Sequence, residues 1–294
     1  MTQKKLNILS LFDGISCGQV ALERVGIEVE NYYASEIKNS AIKVTKEKFP
    51  KTIHIGDVNK INFNDYVGKI DLLIGGSPCQ DFSPVKWINW KSEGLSGDKS
   101  SLFYKYLEAL TIISPKYFLL ENVKMKKDCE EQLNNFLGVR GIHINSRLVS
   151  YQNRPRIYWT NIPNVTIPKD KNINFQDFKD TDYEYCSKFK VNKTPSREKM
   201  WNNGFGRNQG GACANVTNSE KIYCITRKQD RFPNSGLVEF DDFCRYLTRR
   251  ELELGQTLPE GYTDILTYNQ MQDVVGDGWT VDVIAHIFKG LKND

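Results

Sequence analysis

NILSLFDGISCG, residues 7–18, holds the decisive pattern of the chain: an apolar run, a glycine turn and the opening of a helix. Asn7–Leu11 reads as a buried strand and Gln19–Val25 as a helix. A strand that passes through a glycine turn into a helix is half of a βαβ unit, and the same rhythm recurs downstream. Tyr32–Ala34 predicts a second strand and Ser40–Phe49 a helix ended by Pro50. Thr52–Ile55 predicts a short third strand and Asp71–Ile74 a fourth. Ser101–Ile113 has helical apolar spacing, Tyr117–Leu120 reads as a fifth strand, and Arg147–Tyr151 with Ile157–Thr160 make a final pair. The fold class is therefore α/β with a mostly parallel sheet, whose ligands lie beyond the carboxyl ends of the strands.

Past Ile162 the alternation stops. PNVTIPKDKN and WNNGFGRNQGGACANVTN read as loops, yet Trp201, Phe205, Tyr223, Phe232, Phe240 and Phe243 keep the region from resembling a disordered tail. A second, smaller, loop-rich domain is expected over residues 162–267. Residues 1–161 and 268–294 make the first domain, with the amphipathic stretch Thr280–Leu291 packing back on the sheet.

Bulk properties narrow the class further. The 294 residues are 26% charged and 39% hydrophobic, as in an ordinary globular protein, and no apolar run reaches the length of a membrane span. The N-terminus lacks a signal-peptide pattern, so a soluble intracellular protein, not associated with a membrane, is expected. The net charge of +4 permits a polyanionic partner without demanding one. Seven cysteines, none in CxxC spacing, and three histidines predict neither a disulfide framework nor a metal site.

The glycines of LSLFDGISCG let the backbone approach a ligand, and a helix N-terminus beyond them offers free N–H groups. Glu36 ends the second strand, where this architecture holds a ribose diol. Asp57, in the Gly-Asp-Val after the third strand, is placed for an adenine amino group. Singly these suit a tight turn and surface acids equally well; together they point to a nucleoside-bearing cofactor. GGSPCQDFS (75–83) follows the fourth strand directly, and a thiol on such a polar loop suits nucleophilic attack on electron-poor carbon better than it suits a core. Glu121 leaves the apolar strand KYFLLEN, a partly desolvated setting in which a carboxyl can carry a proton near neutrality, although a helix-capping Glu-Asn pair reads the same. Arg154 and Arg156 of QNRPRIYW fall on one face if both lie in a strand, ready for an anion or a carbonyl oxygen.

In this order and spacing, FDGxxxG, Glu36, Asp57, GGSPCQ, ENV and QNRPR resemble the DNA cytosine-5 methyltransferase family. The resemblance continues through RYLTRRE (245–251), LPEGYTD (258–264) and GDGWTVDVIAHIFKGL (276–291). There Gly276–Trp279 departs from the Gly-Asn-Ser of many members and is closer to the form of the animal de novo enzymes. It implies a Rossmann-like S-adenosylmethionine-dependent sheet with a smaller target-recognition domain, and double-stranded DNA as partner. It implies Cys79 as the nucleophile on carbon 6 of a flipped-out cytosine. Glu121 would act at N3, Arg156 at O2, and Arg154 in positioning Cys79 or the backbone. The family pattern carries Phe12, Asp13, Gly14, Ile15 and Gly18 onto the methionine end of the cofactor. Glu36 matches the ribose position, Ile37 the adenine face and Asp57 with Val58 the adenine edge, with Pro78 and Trp279 also close.

The loop after Cys79, with Gln80, Ser83, Trp87, Trp90 and Lys99, is expected to close on the DNA. Arg227, Lys228 and Arg231 of KIYCITRKQDRF form the preferred phosphate or base patch. The same resemblance allows a cognate restriction endonuclease and a monomeric enzyme. Two rival functions share most of these motifs. A tRNA cytosine-5 methyltransferase would typically carry a Cys-Phe-Thr motif, which is absent from the sequence. A silent DNA-binding homologue would lack the thiol or the acid, and both are present.

Overall fold

The computed structural model describes residues 5–76, 100–192, 215–227, 235–240 and 242–293, together with Pro195 and Gln229. The chain divides into two compact units, Met1–Ile144 with Pro155–Ile167 and Ile284–Asp294, and Asn145–Arg154 with Pro168–Val283.

In the first unit the order is β1 (Leu6–Leu11), α1 (Cys17–Val25), β2 (Val29–Ser35), α2 (Asn39–Lys48), β3 (Ile53–His54) and β4 (Leu72–Gly76). There follow α3 (Ser100–Ile113), β5 (Tyr117–Val123), α4 (Lys127–Leu137), β6 (Ile142–Asn145) and β7 (Pro155–Thr160). The seven strands form one sheet in the order β3-β2-β1-β4-β5-β7-β6. Strands β1 to β5 pair in parallel, and β7 lies antiparallel to β5. The central strands are apolar along their length because both faces of the sheet are covered. Ile8, Leu9, Leu11, Leu72, Leu73, Ile74, Leu119 and Leu120 are all fully buried. One core cluster joins Leu9, Leu11, Leu73 and Leu120 to Phe103, Tyr106, Leu133 and Trp159.

The expected α/β sheet is therefore present, with two differences of detail. Arg147–Tyr151 is not a strand. The Asn145 side chain accepts the Arg147 N–H at 3.1 Å and opens a 3-10 turn over Ser146–Leu148, so the strand lies earlier, at β6. Helix α4 went unforeseen, its buried stripe being only Cys129, Leu133 and Leu137 among polar neighbours.

The second unit has more helix than its sequence suggests. It contains α5 (Tyr183–Ser187), a two-stranded sheet of β8 (Val238–Glu239) and β9 (Cys244–Arg245), α6 (Arg249–Gly255) and α7 (Tyr268–Asp277). Helix α8 (Val281–Phe288) begins in it and ends in the first unit. Helices α6 and α7 both open with a capping box, Thr248 with Glu251 and Thr267 with Gln270. Arg245 and Glu251, both fully buried, pair through two bonds of 2.7 and 2.8 Å. Glu251 also accepts the Asp180 and Thr248 N–H groups, so the desolvated charge is held by several partners. No helix among the described residues is long and apolar enough to cross a membrane.

Candidate functional site

The loops that follow β1, β2 and β3 are tied to one another. After β1 the chain takes three left-handed residues in quick succession, Phe12, Gly14 and Ser16. Such a turn persists only where its surroundings hold it. The holder is Glu36, at the end of β2. Its Oε2 accepts the Gly14 N–H at 2.8 Å, and its Oε1 accepts the N–H groups of Ile37 and Lys38 at 2.7 and 2.8 Å. The Asp13 N–H meets the Ser35 carbonyl at 3.0 Å, and the Ser35 hydroxyl donates to the Gly56 carbonyl at 2.8 Å.

Above these loops the surface is open and partly apolar. A Cβ on Gly14 or Gly56 would meet nothing within 4 Å. Ile37, next to Glu36, is 72% exposed and presents an apolar face to this surface. Asp57 caps the next turn by accepting the Asn59 N–H at 3.0 Å, with Val58 buried behind it. Ile15 and Gly18 lie inward, buried at the start of α1.

Asp13 is the charged floor of this turn. It accepts hydrogen bonds from Tyr32, at 2.7 Å, and from Ser16. Burial nevertheless pushes its carboxyl up to about 6, against the lowering effect of the bonds from Ser10, Ser16 and Tyr32. Tyr32 and Ser16 are site residues that the sequence reading passed over. The left-handed Ser16 leaves no sequence mark, and Tyr32 reads there only as strand.

The second cluster lies at the adjacent strand ends. In the parallel β4–β5 ladder Gly76 sits beside Glu121. Gly76 is the last described residue before the segment that carries Cys79, three positions on. Gly75 before it packs closely, since a Cβ on it would come within 3.0 Å of the Tyr106 ring and 3.1 Å of the Leu11 carbonyl. Glu121 pairs with Arg156, Nε to Oε1, at 2.9 Å, and both side chains are mostly buried. The pairing follows from register: Val123 faces Arg156 across the antiparallel ladder, which puts Glu121 on the same face, diagonally opposite.

Arg154 serves other partners. It precedes β7, which begins at Pro155, so the two arginines do not share a strand face. Within the second unit its guanidinium donates to the carbonyls of Ile225 at 2.8 Å, Gly278 at 2.8 Å and Gly276 at 3.2 Å, and to the Cys224 sulfur at 3.3 Å. Trp279, half-buried, follows directly. Arg227 is exposed and pairs with Asp277. Cys79, Pro78, Gln80, Ser83, Lys99, Lys228 and Arg231 lie outside the described residues, as do Trp87 and Trp90.

Comparison with known proteins gives a consistent picture. The orphan methyltransferase M.Rho11sI of Bacillus phage rho11s is 34% identical over 181 residues, 57% of this chain and 35% of that protein. The type II methyltransferase M.NgoFVII of Neisseria gonorrhoeae is 35% identical over 124 residues, 42% of this chain and 32% of its own length. The chain thus spans about a third of the length of these relatives. In three dimensions, the Entamoeba histolytica methyltransferase EhMeth superposes with a TM-score of 0.78 at 16% identity, over 99% of both chains. At that identity the likeness concerns the fold. The profile of the C-5 cytosine-specific DNA methylase family matches residues 6–293, and the chain belongs to that family.

Proposed function

We propose that this protein is a DNA (cytosine-5-)-methyltransferase, which transfers a methyl group from S-adenosylmethionine to a flipped-out cytosine within a short duplex sequence. One observation carries the reading: Glu121, paired with Arg156, stands beside Gly76 at the strand end that leads into Pro78-Cys79-Gln80. An acid and a guanidinium at this strand end, with a thiol three residues further along the sequence from Gly76, are the groups that addition to a pyrimidine ring calls for.

The first unit suits the donor. Glu36 has about four acceptor positions and spends three on backbone N–H groups, which leaves one for a ribose hydroxyl. Ile37 would offer its exposed face to the adenine, and Asp57 with Val58 would serve the adenine edge. Asp13 would attract the methionine ammonium, with Phe12, Gly14, Ile15 and Gly18 shaping that end and Pro78 and Trp279 close by. When bound, the cofactor supplies an electrophilic methyl group.

The residues of the chain make carbon 5 able to accept it. The Cys79 thiolate bonds to carbon 6 as the ring's 5,6 double bond opens, and the electron pair moves onto carbon 5. Glu121 hydrogen-bonds or protonates N3 and so lowers the cost of the charge that gathers there. Arg156 holds O2 and, through its bond to Glu121, holds the acid in place. Loss of the carbon-5 proton to water or another base restores the double bond and expels the thiolate. Arg154 enters as a positioning residue, acting through the carbonyls it gathers.

By the same reading, residues 1–161 and 268–294 form the catalytic domain and 162–267 the target-recognition domain. Gln80, Ser83, Lys99, Arg227, Lys228 and Arg231 would be the contacts to the duplex. A monomeric cytoplasmic enzyme, with or without a companion restriction endonuclease, completes the proposal.

The test is incubation with unmethylated plasmid and labelled S-adenosylmethionine, bisulfite sequencing of the product, and Cys79→Ser in parallel. The expected result is 5-methylcytosine at one short motif, absent from the variant. Label in tRNA and none in DNA would move the protein to the RNA-modifying branch. Cofactor binding without transfer to either substrate would favour a silent DNA-binding homologue.

A further inference from the structure

In the second unit Arg227 and Asp277 meet as fork and carboxylate. Nε lies 3.0 and 3.2 Å from the two carboxylate oxygens, and Nη2 lies 2.6 Å from Oδ2. The planar guanidinium fork accepts a carboxylate and a phosphodiester in the same two-point way. The arginine and the acid are 50% and 43% exposed, so the pair is within reach of solvent and of a macromolecular surface.

We propose that Asp277 is an internal stand-in for a DNA phosphate: it keeps Arg227 extended and ordered, and gives it up to the backbone of duplex DNA. The inference rests on the reading of the protein as an enzyme of DNA.

Three observations support an exchangeable role over a clamp. The backbones beneath the pair are already fixed without it. A Cβ on Gly276 would lie 2.6 Å from the Thr226 carbonyl carbon and 2.7 Å from the Arg227 nitrogen, so the two segments touch directly. Arg154 also binds both, through the carbonyls of Ile225, Gly276 and Gly278. Secondly, an exposed ion pair adds little stability, so it can be broken at small cost. Thirdly, Asp277 is the last residue of α7, at the negative end of the helix dipole. An acid is disfavoured there, which makes it a weak competitor once another anion approaches.

The test is binding of the full chain to labelled duplex DNA by fluorescence anisotropy over a series of NaCl concentrations. It uses Asp277→Asn, Arg227→Gln and the double variant, with melting temperatures recorded for each. Asp277→Asn is expected to tighten binding about threefold to tenfold at low salt, a gain that shrinks as salt is added. Arg227→Gln is expected to weaken binding and to flatten the salt slope by about one ion. In the Arg227→Gln background, Asp277→Asn is expected to add nothing.

A gain that persists in that background would mean a general charge effect and overturn the proposal. So would an Asp277→Asn protein that binds no tighter, or one that melts well below the parent, since the pair would then be a clamp. Asp277→Ser repeats the test should the asparagine variant fold poorly. Wild-type protein that binds tRNA but no duplex DNA would overturn this inference and the proposed function together. Duplex binding without the expected coupling would overturn the inference alone.

Discussion

Arg154 offers the sharpest test of how this chain divides labour between its two paired arginines. Replacing it with lysine keeps the charge and removes the fork. A lysine ammonium can reach one of the three carbonyls at 2.8, 2.8 and 3.2 Å, which strands the other two in a buried setting. At roughly 1.5 kcal/mol for each charged hydrogen bond lost, Arg154→Lys should cost about 3 kcal/mol. Arg154→Met loses all three but also removes a buried charge, so about 4 kcal/mol is expected. Either is a large share of the roughly 5–15 kcal/mol that holds an ordinary domain together. Urea unfolding followed by far-UV circular dichroism measures the shift, and Arg156→Lys is the control. Arg156 lies at a strand end, where it pairs with Glu121 and donates to the Pro155 carbonyl, and its replacement should act on turnover first. A shift under about 1 kcal/mol in Arg154→Lys, with kcat lost at unchanged stability, would refute the assignment and return Arg154 to the chemistry.

The carboxyl of Asp13, raised to about 6, gives opposite signs for affinity and stability. Cofactor affinity, read by titration calorimetry, should fall as pH drops through about 6, because protonation removes the charge that attracts an ammonium, and Asp13→Asn should abolish this dependence. The free protein should gain stability over the same range, since a raised carboxyl pKa means that the fold disfavours the ionised form. Ile37→Ala should leave stability within about 0.5 kcal/mol and weaken cofactor binding about tenfold, because the side chain is exposed until a ligand covers it. Glu121→Gln should reduce kcat by about a hundredfold or more in a methylation assay, with little change in KM for the cofactor. Gly75→Ala should lower the melting temperature by several degrees, because its methyl group would press on Tyr106 and the Leu11 carbonyl.

The parallel sheet was legible because its strands are buried on both faces. NILSL and YFLLEN are apolar runs of the right length, bounded by turn residues, and nothing competes with them. The place of Glu36 at the end of the second strand was legible as well, but the three backbone N–H groups it accepts were not. Arg154 was not. Periodicity puts it in a strand with Arg156, but the strand starts one residue later, and its partners are carbonyls 71 to 124 residues away in sequence. Long-range polar contacts of that kind leave no local pattern. The helices of the second unit did leave one, in Thr-Arg-Arg-Glu and Thr-Tyr-Asn-Gln. These are capping boxes written into residues 248–251 and 267–270, outweighed by the glycines, prolines and asparagines around them. RLVSY imitates a strand by alternation, and only the Asn145 side chain, bonded to the N–H groups of both Arg147 and Arg154, turns the chain there.

The reversed direction of β7 has a further consequence. In a fully parallel sheet every residue at the carboxyl edge is the last of its strand, and the loop beyond it sets its position. A strand that runs the other way delivers its first residues to that edge, so Arg156 is placed by a ladder that continues through Ile157, Tyr158, Trp159 and Thr160. The spacing between Glu121 and Arg156 is therefore gauged by five rungs of sheet. Loop sequences upstream and downstream can drift, lengthen or be exchanged, and the gauge stays set as long as the register holds. A slip of one rung, by contrast, would turn Arg156 to the opposite face and part the pair at a stroke.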